Sequence, residues 1–305
     1  MSELVQTTSG SWWRTWLLPR VAELRQGDAH AWSNLGKALS AACRFDEADT
    51  AFATATGLAP NDTRIAYNRA VMLLKSGRVA GFEALARWTH EDRGEISPTE
   101  FIPVAEESGL ILHLGRWAMD KAASTLAGWD AKARETLPLY VAVNLSAIQV
   151  ARDDIPAMVE STLRSTGLSG ERLTLELTES SIVQNPARAT RVFDALKALD
   201  TTVAMDDFGT GYSSLAYLQR LPIDVLKIDK SFVSGMMVDP DAVAIVRAVL
   251  SLAEALGMST TAEGIETVEL ATTLATLGCA SGQGFYFARP LEAAAALAYF
   301  KSRKR

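Results

Sequence analysis

From residue 79 onward, short apolar runs are separated by longer segments whose apolar positions recur every three to four residues. The runs at 79–85, 139–145, 172–178, 202–206, 224–229, 258–263 and 279–286 read as strands. The stretches 115–133, 187–199, 241–256 and 266–277 are amphipathic with the helical period. Strand-then-helix order sustained over about 220 residues predicts a parallel sheet, because parallel neighbours need a crossover between them. At that length the expected architecture is a closed (β/α) barrel, with a doubly wound sheet as the alternative. No GxGxxG opens the first βα turn, so a dinucleotide-binding version of the alternative lacks support.

The chain before residue 78 has a different pattern. Trp32, Leu35, Gly36 and Leu39, followed by Ala48, Phe52, Ala55 and Pro60, predict two antiparallel helices. Gly36 and Ala48 are small where the helices would touch, and Phe52 supplies the filling volume. The spacing resembles one tetratricopeptide repeat, and residues 65–78 resemble the first helix of a second. One and a half repeats cannot bury a core alone, so residues 17–24 or the downstream domain must cover them. The expected division is an α-helical segment over 1–77 and an α/β domain over 78–305.

Composition narrows the class. With 305 residues, 48% hydrophobic and 22% charged, the chain is that of a folded protein of one large domain plus a small one. The net charge of −6 argues against a protein that grips nucleic-acid backbone, since that affinity comes from Lys and Arg. Cys43 and Cys279 are far apart with no CxxC pair, which is cytosolic usage. No apolar run approaches the length of a spanning helix and no signal-peptide pattern opens the chain, so the expected location is the cytoplasm. Trp12, Trp13 and Trp16 with Leu17 and Leu18 are expected to cap the helices, docking on a membrane surface being the alternative. The basic tail Lys301 to Arg305 reads as a solvated helix end.

Candidate chemistry lies at the strand ends. Alternation through residues 172–179 puts Leu173, Leu175 and Leu177 on one face and Thr174, Glu176 and Thr178 on the other. Likewise Leu226 and Ile228 oppose Lys227 and Asp229. Ions aimed at a barrel interior cost several kcal/mol each, on the order of 5, unless paired or metal-bound. Glu83, Asn144, Glu176, Asp206, Asp207, Lys227, Asp229, Glu263 and Gln283 together draw on seven of the predicted strands. Carboxylates plus an amide, without His or Cys, form a hard-oxygen set suited to Mg²⁺ or Mn²⁺ rather than zinc. Asp206 and Asp207 can both face inward only at a strand end, where they would suit two neighbouring ions and phosphodiester hydrolysis. Asp207-Phe208-Gly209 matches a kinase tripeptide, but neither a preceding Gly-rich loop nor a His-Arg-Asp loop accompanies it.

Gly81-Phe82-Glu83-Ala84-Leu85-Ala86-Arg87-Trp88 resembles the signature of the EAL domain of bacterial cyclic di-GMP phosphodiesterases. The resemblance continues through Ile96-Ser97-Pro98, Glu100-Phe101-Ile102-Pro103, Asn144-Leu145-Ser146 and Glu176-Leu177-Thr178-Glu179. It resumes in Asp206-Asp207-Phe208-Gly209 with Thr210 to Ser214, Lys227-Ile228-Asp229, Ala262-Glu263-Gly264-Ile265-Glu266 and Gly282-Gln283-Gly284-Phe285, covering residues 76–301.

It implies a modified (β/α)8 TIM-like barrel that cleaves cyclic di-GMP to linear pGpG with two Mg²⁺ or Mn²⁺ ions. By the same resemblance Glu83, Asn144, Glu176 and Asp206 hold one metal, Asp207 contributes to the second, and Asp229 sits at the metal centre. Lys227 contacts the attacking water, Glu263 is a metal-site or general-base residue, and Gln283 completes the polar set. Glu179 braces the loop 209–214, while Leu85 and Arg87 meet the ligand, Arg87 through phosphate.

The family begins with an antiparallel strand carrying a Tyr-Gln-Pro pattern and a guanine-contacting Gln, where this chain has Tyr67-Asn68-Arg69-Ala70-Val71. Continuity with the preceding repeat favours a helix there, which leaves a barrel wall of seven strands with an unpaired edge. The leading expectation is a cytoplasmic phosphodiesterase that forms a homodimer through the region around 209–240, with a protein partner on the repeat-like segment. The alternatives are a cyclic di-GMP receptor without turnover, and an interaction protein whose barrel is inert. No nucleotide-cyclase domain is expected in the remaining length.

Overall fold

The computed structural model describes residues 26–303 apart from 43, 61, 63, 66, 67, 70, 71, 73–75, 180, 182–185, 210–217 and 220. The tryptophan-rich stretch, the covering segment 17–24 and loop residues 210–214 therefore lie outside the described residues.

Helices α1 (Ala29–Ala41) and α2 (Phe45–Leu58) come first. Asp28 caps α1, its Oδ1 accepting from the His30 and Ala31 amides at 2.9 and 3.2 Å, N–H groups that have no partner inside the helix. Gly36 sets how closely the pair packs: a Cβ there would stand 2.8 Å from the Phe52 ring. Leu35, Leu39, Ala48, Ala51, Phe52 and Met72 form a small core of their own. Arg64, Ile65, Asn68, Arg69, Met72 and Ser76 are helical, so the segment that could have supplied the family's first strand is a helix in its described residues. Arg69 pairs with Asp49 at 2.8 Å, and Arg78 pairs with Asp46 and Asp49, which fastens this helix to α2.

Strand β1 (Gly81–Ala84) opens the large sheet, and an antiparallel hairpin of β2 (Trp88–His90) and β3 (Gly94–Ile96) comes after it. Next are α3 (Pro98–Ser108), α4 (Ile111–Ala133), β4 (Tyr140–Leu145), α5 (Ala147–Arg152), α6 (Ile155–Thr166) and β5 (Leu173–Thr178). Then α7 (Pro186–Lys197), β6 (Thr202–Phe208), β7 (Val225–Ile228), α8 (Lys230–Gly235) and α9 (Pro240–Leu256) lead to β8 (Ser259–Ala262). The chain finishes with α10 (Val268–Leu277), β9 (Ser281–Gly282) and α11 (Ala293–Arg303).

Strands β1, β4, β5, β6, β7, β8 and β9 pair in that order, all parallel, as one seven-stranded sheet. Its edges are β1 and β9, which a flat sheet would hold about 29 Å apart at the usual strand spacing. Instead Gln283, just past β9, donates to Glu83 of β1 at 3.0 Å. The sheet therefore curls far enough for a side-chain bridge to join the rim across the gap between β1 and β9, which do not pair with each other. On the outer face Val141, Val143, Leu173, Leu175, Val203, Met205, Leu226 and Ile228 pack against Phe193, Leu196, Val246, Leu250 and Leu274 of the helices. Inward positions are small, such as Ala142, Thr174, Ala204 and Thr261, because a narrow barrel has room for few large side chains. Tyr140 is larger, as are Glu83, Glu176 and Lys227 on the same inner face, and its ring lies where a Cβ on Gly81 would come within 2.6 Å.

The strand expectations need three corrections. Residues 79–80 precede β1 without joining it. The run 279–286 pairs only at Ser281–Gly282, since Gly284 at φ +149° turns the backbone away from the ladder. Conversely, the run 202–206 extends to Phe208 through Asp207 at φ +54°, with a register shift against β7 between Met205 and Phe208. That bulge inserts an extra residue and re-aims the backbone beyond it. The hairpin and helices α3, α5, α6 and α8 were not anticipated, and of α11 only the basic end was; α5 and α8 have six residues each, and α3 contains two prolines.

Candidate active site at the open rim of the barrel

Lys227 rises from the inner face of β7 and is almost fully buried, at 2% exposure. Its Nζ lies 2.7 Å from Glu176 on β5, 2.7 Å from Glu263 just past β8, 3.3 Å from Asp206 on β6 and 3.9 Å from Glu83 on β1. The parallel register sets this up by placing Asn144 beside Glu176, Thr178 beside Asp206 and Lys227 beside Thr261. Two amides close the ring. Asn144 Nδ2 donates to Glu83 Oε1 at 2.6 Å, and Gln283 Nε2 donates to Glu83 Oε2 at 3.0 Å and Glu263 Oε1 at 2.9 Å.

One ammonium cannot neutralise four carboxylates, so the cluster holds protons it would not hold in water. Burial pushes Glu176 up to about 8 and Glu263 up to about 7, against the pull of Lys227 in both cases. Burial opposes the charge on Lys227, but Glu176, Glu83, Glu263 and Asp206 together outweigh it and drive its pKa upward. Tyr140, beneath the cluster, is held at about 12 by burial and by Glu176. Periodicity could have found Tyr140, which alternates with Ala142 and Asn144 on β4.

The remaining predicted residues sit around this ring. Asp206 Oδ1 accepts from the Asp207 amide at 2.9 Å. Asp207 is half-buried at the bulge, its pKa raised by burial and then by Asp206 and Asp229. Asp229 caps α8, its Oδ1 accepting from the Ser231 amide at 3.0 Å and from the Ser231 hydroxyl at 2.5 Å. Burial works against that carboxylate, yet these bonds hold its pKa low. Glu179 is buried beyond β5, where Oε2 accepts from the Gly209 amide at 3.2 Å and Oε1 has no hydrogen-bond partner among the described residues. Its hydrogen bond thus falls on the loop after β6 and not on the Lys227 ring. Leu85 is exposed past β1, while Arg87 Nη1 donates to the Ala86 carbonyl at 2.9 Å and Nε lies 3.9 Å from Glu95 of the hairpin.

Divalent cations fit this donor set by charge and hardness. With all four carboxylates ionised around Lys227, three negative charges are uncompensated, and the protons held by Glu176 and Glu263 substitute for missing positive charge. Among the described residues no three acids, histidines or cysteines stand in ligating geometry around one point. The Lys227 ammonium occupies the space between the oxygens, so a bound ion and the ammonium would share the same ligands.

The EAL domain family matches residues 56–290. An uncharacterized signaling protein of Caulobacter vibrioides is 46% identical over 234 residues, covering 77% of this chain and 28% of that protein. The cyclic di-GMP phosphodiesterase PdeR of Escherichia coli is 40% identical over 225 residues, covering 74% of this chain and 34% of that protein. Among solved structures, the PaMucR phosphodiesterase in complex with c-di-GMP superposes with a TM-score of 0.66 at 40% identity, covering 70% of this chain and 86% of that one. The matched region spans only 28% and 34% of those two curated relatives.

Proposed function

Because this chain belongs to the EAL domain family, we propose that it hydrolyses cyclic di-GMP to linear pGpG. The convergence of Glu83, Asn144, Glu176, Asp206, Lys227, Glu263 and Gln283 at one rim carries this reading. Glu83, Asn144, Glu176 and Asp206 would hold one divalent ion, Mg²⁺ or Mn²⁺, and Asp207 with Asp229 a second. When bound, such a pair supplies charge stabilisation at phosphorus and acidifies a water near neutral pH.

The chain's own groups then have distinct tasks. Lys227 donates toward the attacking water and offsets charge among the acids. Glu263, held at about 7, has the basicity to take a proton at the working pH. Gln283 fixes Glu83 and Glu263 relative to each other through its two bonds. Glu179 positions Gly209 and thereby the bulge that carries Asp207. Arg87 meets a ligand phosphate beside Leu85. The test is incubation of the purified protein with cyclic di-GMP and Mn²⁺, following pGpG by chromatography. No product above a Glu83→Ala control removes the hydrolase assignment.

A second reading, a receptor that binds cyclic di-GMP without turnover, is favoured by one observation: the described residues within 64–76 are helical where the family's first strand would stand. Calorimetry that detects binding alongside an absence of pGpG selects it. A barrel homodimer, a protein partner on the tetratricopeptide-like segment and a cytoplasmic location belong to the same proposal. Among the described residues no helix is long and apolar enough to cross a membrane.

A further inference from the structure

We infer that Ser231 is a positioning residue for the metal centre: its hydroxyl fixes the Asp229 carboxylate by one oxygen, so that the other is presented to the second divalent ion. The inference rests on the reading that Asp207 with Asp229 hold that ion.

Asp229 stands at the end of β7, two residues past Lys227, where the chain turns into α8. The register pairs Phe208 of β6 with Ile228 of β7, so the bulge that carries Asp207 and the turn that carries Asp229 leave adjoining strands at the same level. A carboxylate at a strand end has two equivalent oxygens, and the ladder does not fix which of them faces the rim. Ser231 does. Its amide donates to Asp229 Oδ1 at 3.0 Å and its hydroxyl donates to the same oxygen at 2.5 Å, a length typical of a bond to an ionised acceptor. Two donors from one residue on one oxygen hold the carboxylate and let it offer Oδ2 to a cation.

Capping α8 needs only the amide, because the cap serves backbone N–H groups that have no partner inside the helix. The hydroxyl is therefore additional to the cap. Ser231 is exposed, where water competes for that hydroxyl, yet its bond goes to Asp229. The donor also stands on a fixed support. Val233, in the same turn, is fully buried, and the Phe232 ring packs where a Cβ on Gly209 would come within 3.0 Å. Gly209 is the residue whose amide donates to Glu179, two positions past Asp207. The first turn of α8 thus abuts the bulge segment while it holds Asp229, and so relates the two carboxylates to each other. Groups that orient metal ligands in this way are worth about 10–100-fold in affinity.

The test titrates the full chain with Mn²⁺, by calorimetry and by the electron paramagnetic resonance signal of the free ion, in wild type, Ser231→Ala, Ser231→Thr and Ser234→Ala. The wild type should bind two ions. Ser231→Ala keeps the amide and hence the cap, so it should leave the metal-free melting temperature unchanged and weaken one of the two ions by about tenfold or more. Ser231→Thr retains the hydroxyl and should restore that affinity. Ser234→Ala removes a neighbouring hydroxyl, which donates to the Ser231 carbonyl, and should change neither ion. In Ser231→Ala the Mn²⁺ concentration for half-maximal pGpG formation should rise by the same factor, with the KM for cyclic di-GMP unchanged. Two ions bound as tightly by Ser231→Ala as by the wild type overturn the inference and leave the metal-centre reading in place. A loss that Ser231→Thr does not restore, or a fall in the metal-free melting temperature of Ser231→Ala, overturns it likewise by assigning the hydroxyl to the fold. A wild type that binds fewer than two ions overturns the metal-centre reading and the inference together.

Discussion

Replacing Lys227 with Met removes the ammonium that lies within 4 Å of Glu176, Glu263, Asp206 and Glu83, at nearly constant volume. At an effective dielectric of about 20, each 2.7 Å contact contributes roughly 6 kcal/mol of attraction, most of it offset by the cost of burying both ions. Removing one partner leaves that cost uncompensated, so Lys227→Met should lower the stability of the metal-free protein by about 3–5 kcal/mol at pH 8. The pH dependence gives the diagnostic sign. Glu176 and Glu263 have folded pKa values of about 8 and 7 against an ordinary value of 4.5, so between pH 4.5 and 8 the folded state binds more protons than the unfolded chain. Each excess proton makes stability fall by about 1.4 kcal/mol per pH unit as pH rises through that window. Loss of Lys227 extends the window upward, because the carboxyls then ionise at still higher pH. Its raised pKa keeps the lysine charged throughout, so it does not titrate within the window. Urea unfolding at pH 5 and pH 8 measures this: the variant should approach wild-type stability at pH 5, fall well below it at pH 8, and regain part of the loss with Mn²⁺. An equal penalty at both pH values would refute the account of the cluster as a surplus of buried negative charge.

Three further outcomes rest on particular contacts. Gly284→Ala puts a Cβ 2.3 Å from the Ile265 backbone at φ +149°, so it should displace Gln283, cost about 1–3 kcal/mol and weaken Mn²⁺ affinity, read by thermal melts with and without the metal. Asp229→Ala removes the cap of α8 and should lower stability by about 1 kcal/mol in metal-free protein, with a larger drop in pGpG formation than that loss alone explains. Gly36→Val drives two methyl groups into the Phe52 ring and should destabilise the helical segment by about 1–3 kcal/mol; hydrogen exchange should quicken in α1 and α2 and leave β5 and β6 unchanged.

The amino-acid sequence by itself determined the strand-helix order, the inward direction of Glu176 and Lys227, and the small-against-large fit of Gly36 and Phe52. Each depends only on local periodicity, which the chain carries whatever surrounds it. Tertiary structure alone decided where those groups meet. Periodicity placed Glu83 and Gln283 on different strands, but only the curl of the sheet brings residues 200 positions apart to 3.0 Å. Asp206 and Asp207 are adjacent in every conformation, yet their shared access to the rim depends on a register shift set by pairing with β7. The segment 64–76 was ambiguous in isolation, since its residues suit either period; its described part became helix where Met72 joins a core made by α1 and α2 and Arg69 reaches Asp49. Protonation of Glu176 and Glu263 was likewise beyond sequence, because a pKa reports the summed field and burial of neighbours contributed by five strands, not the identity of the residue that titrates.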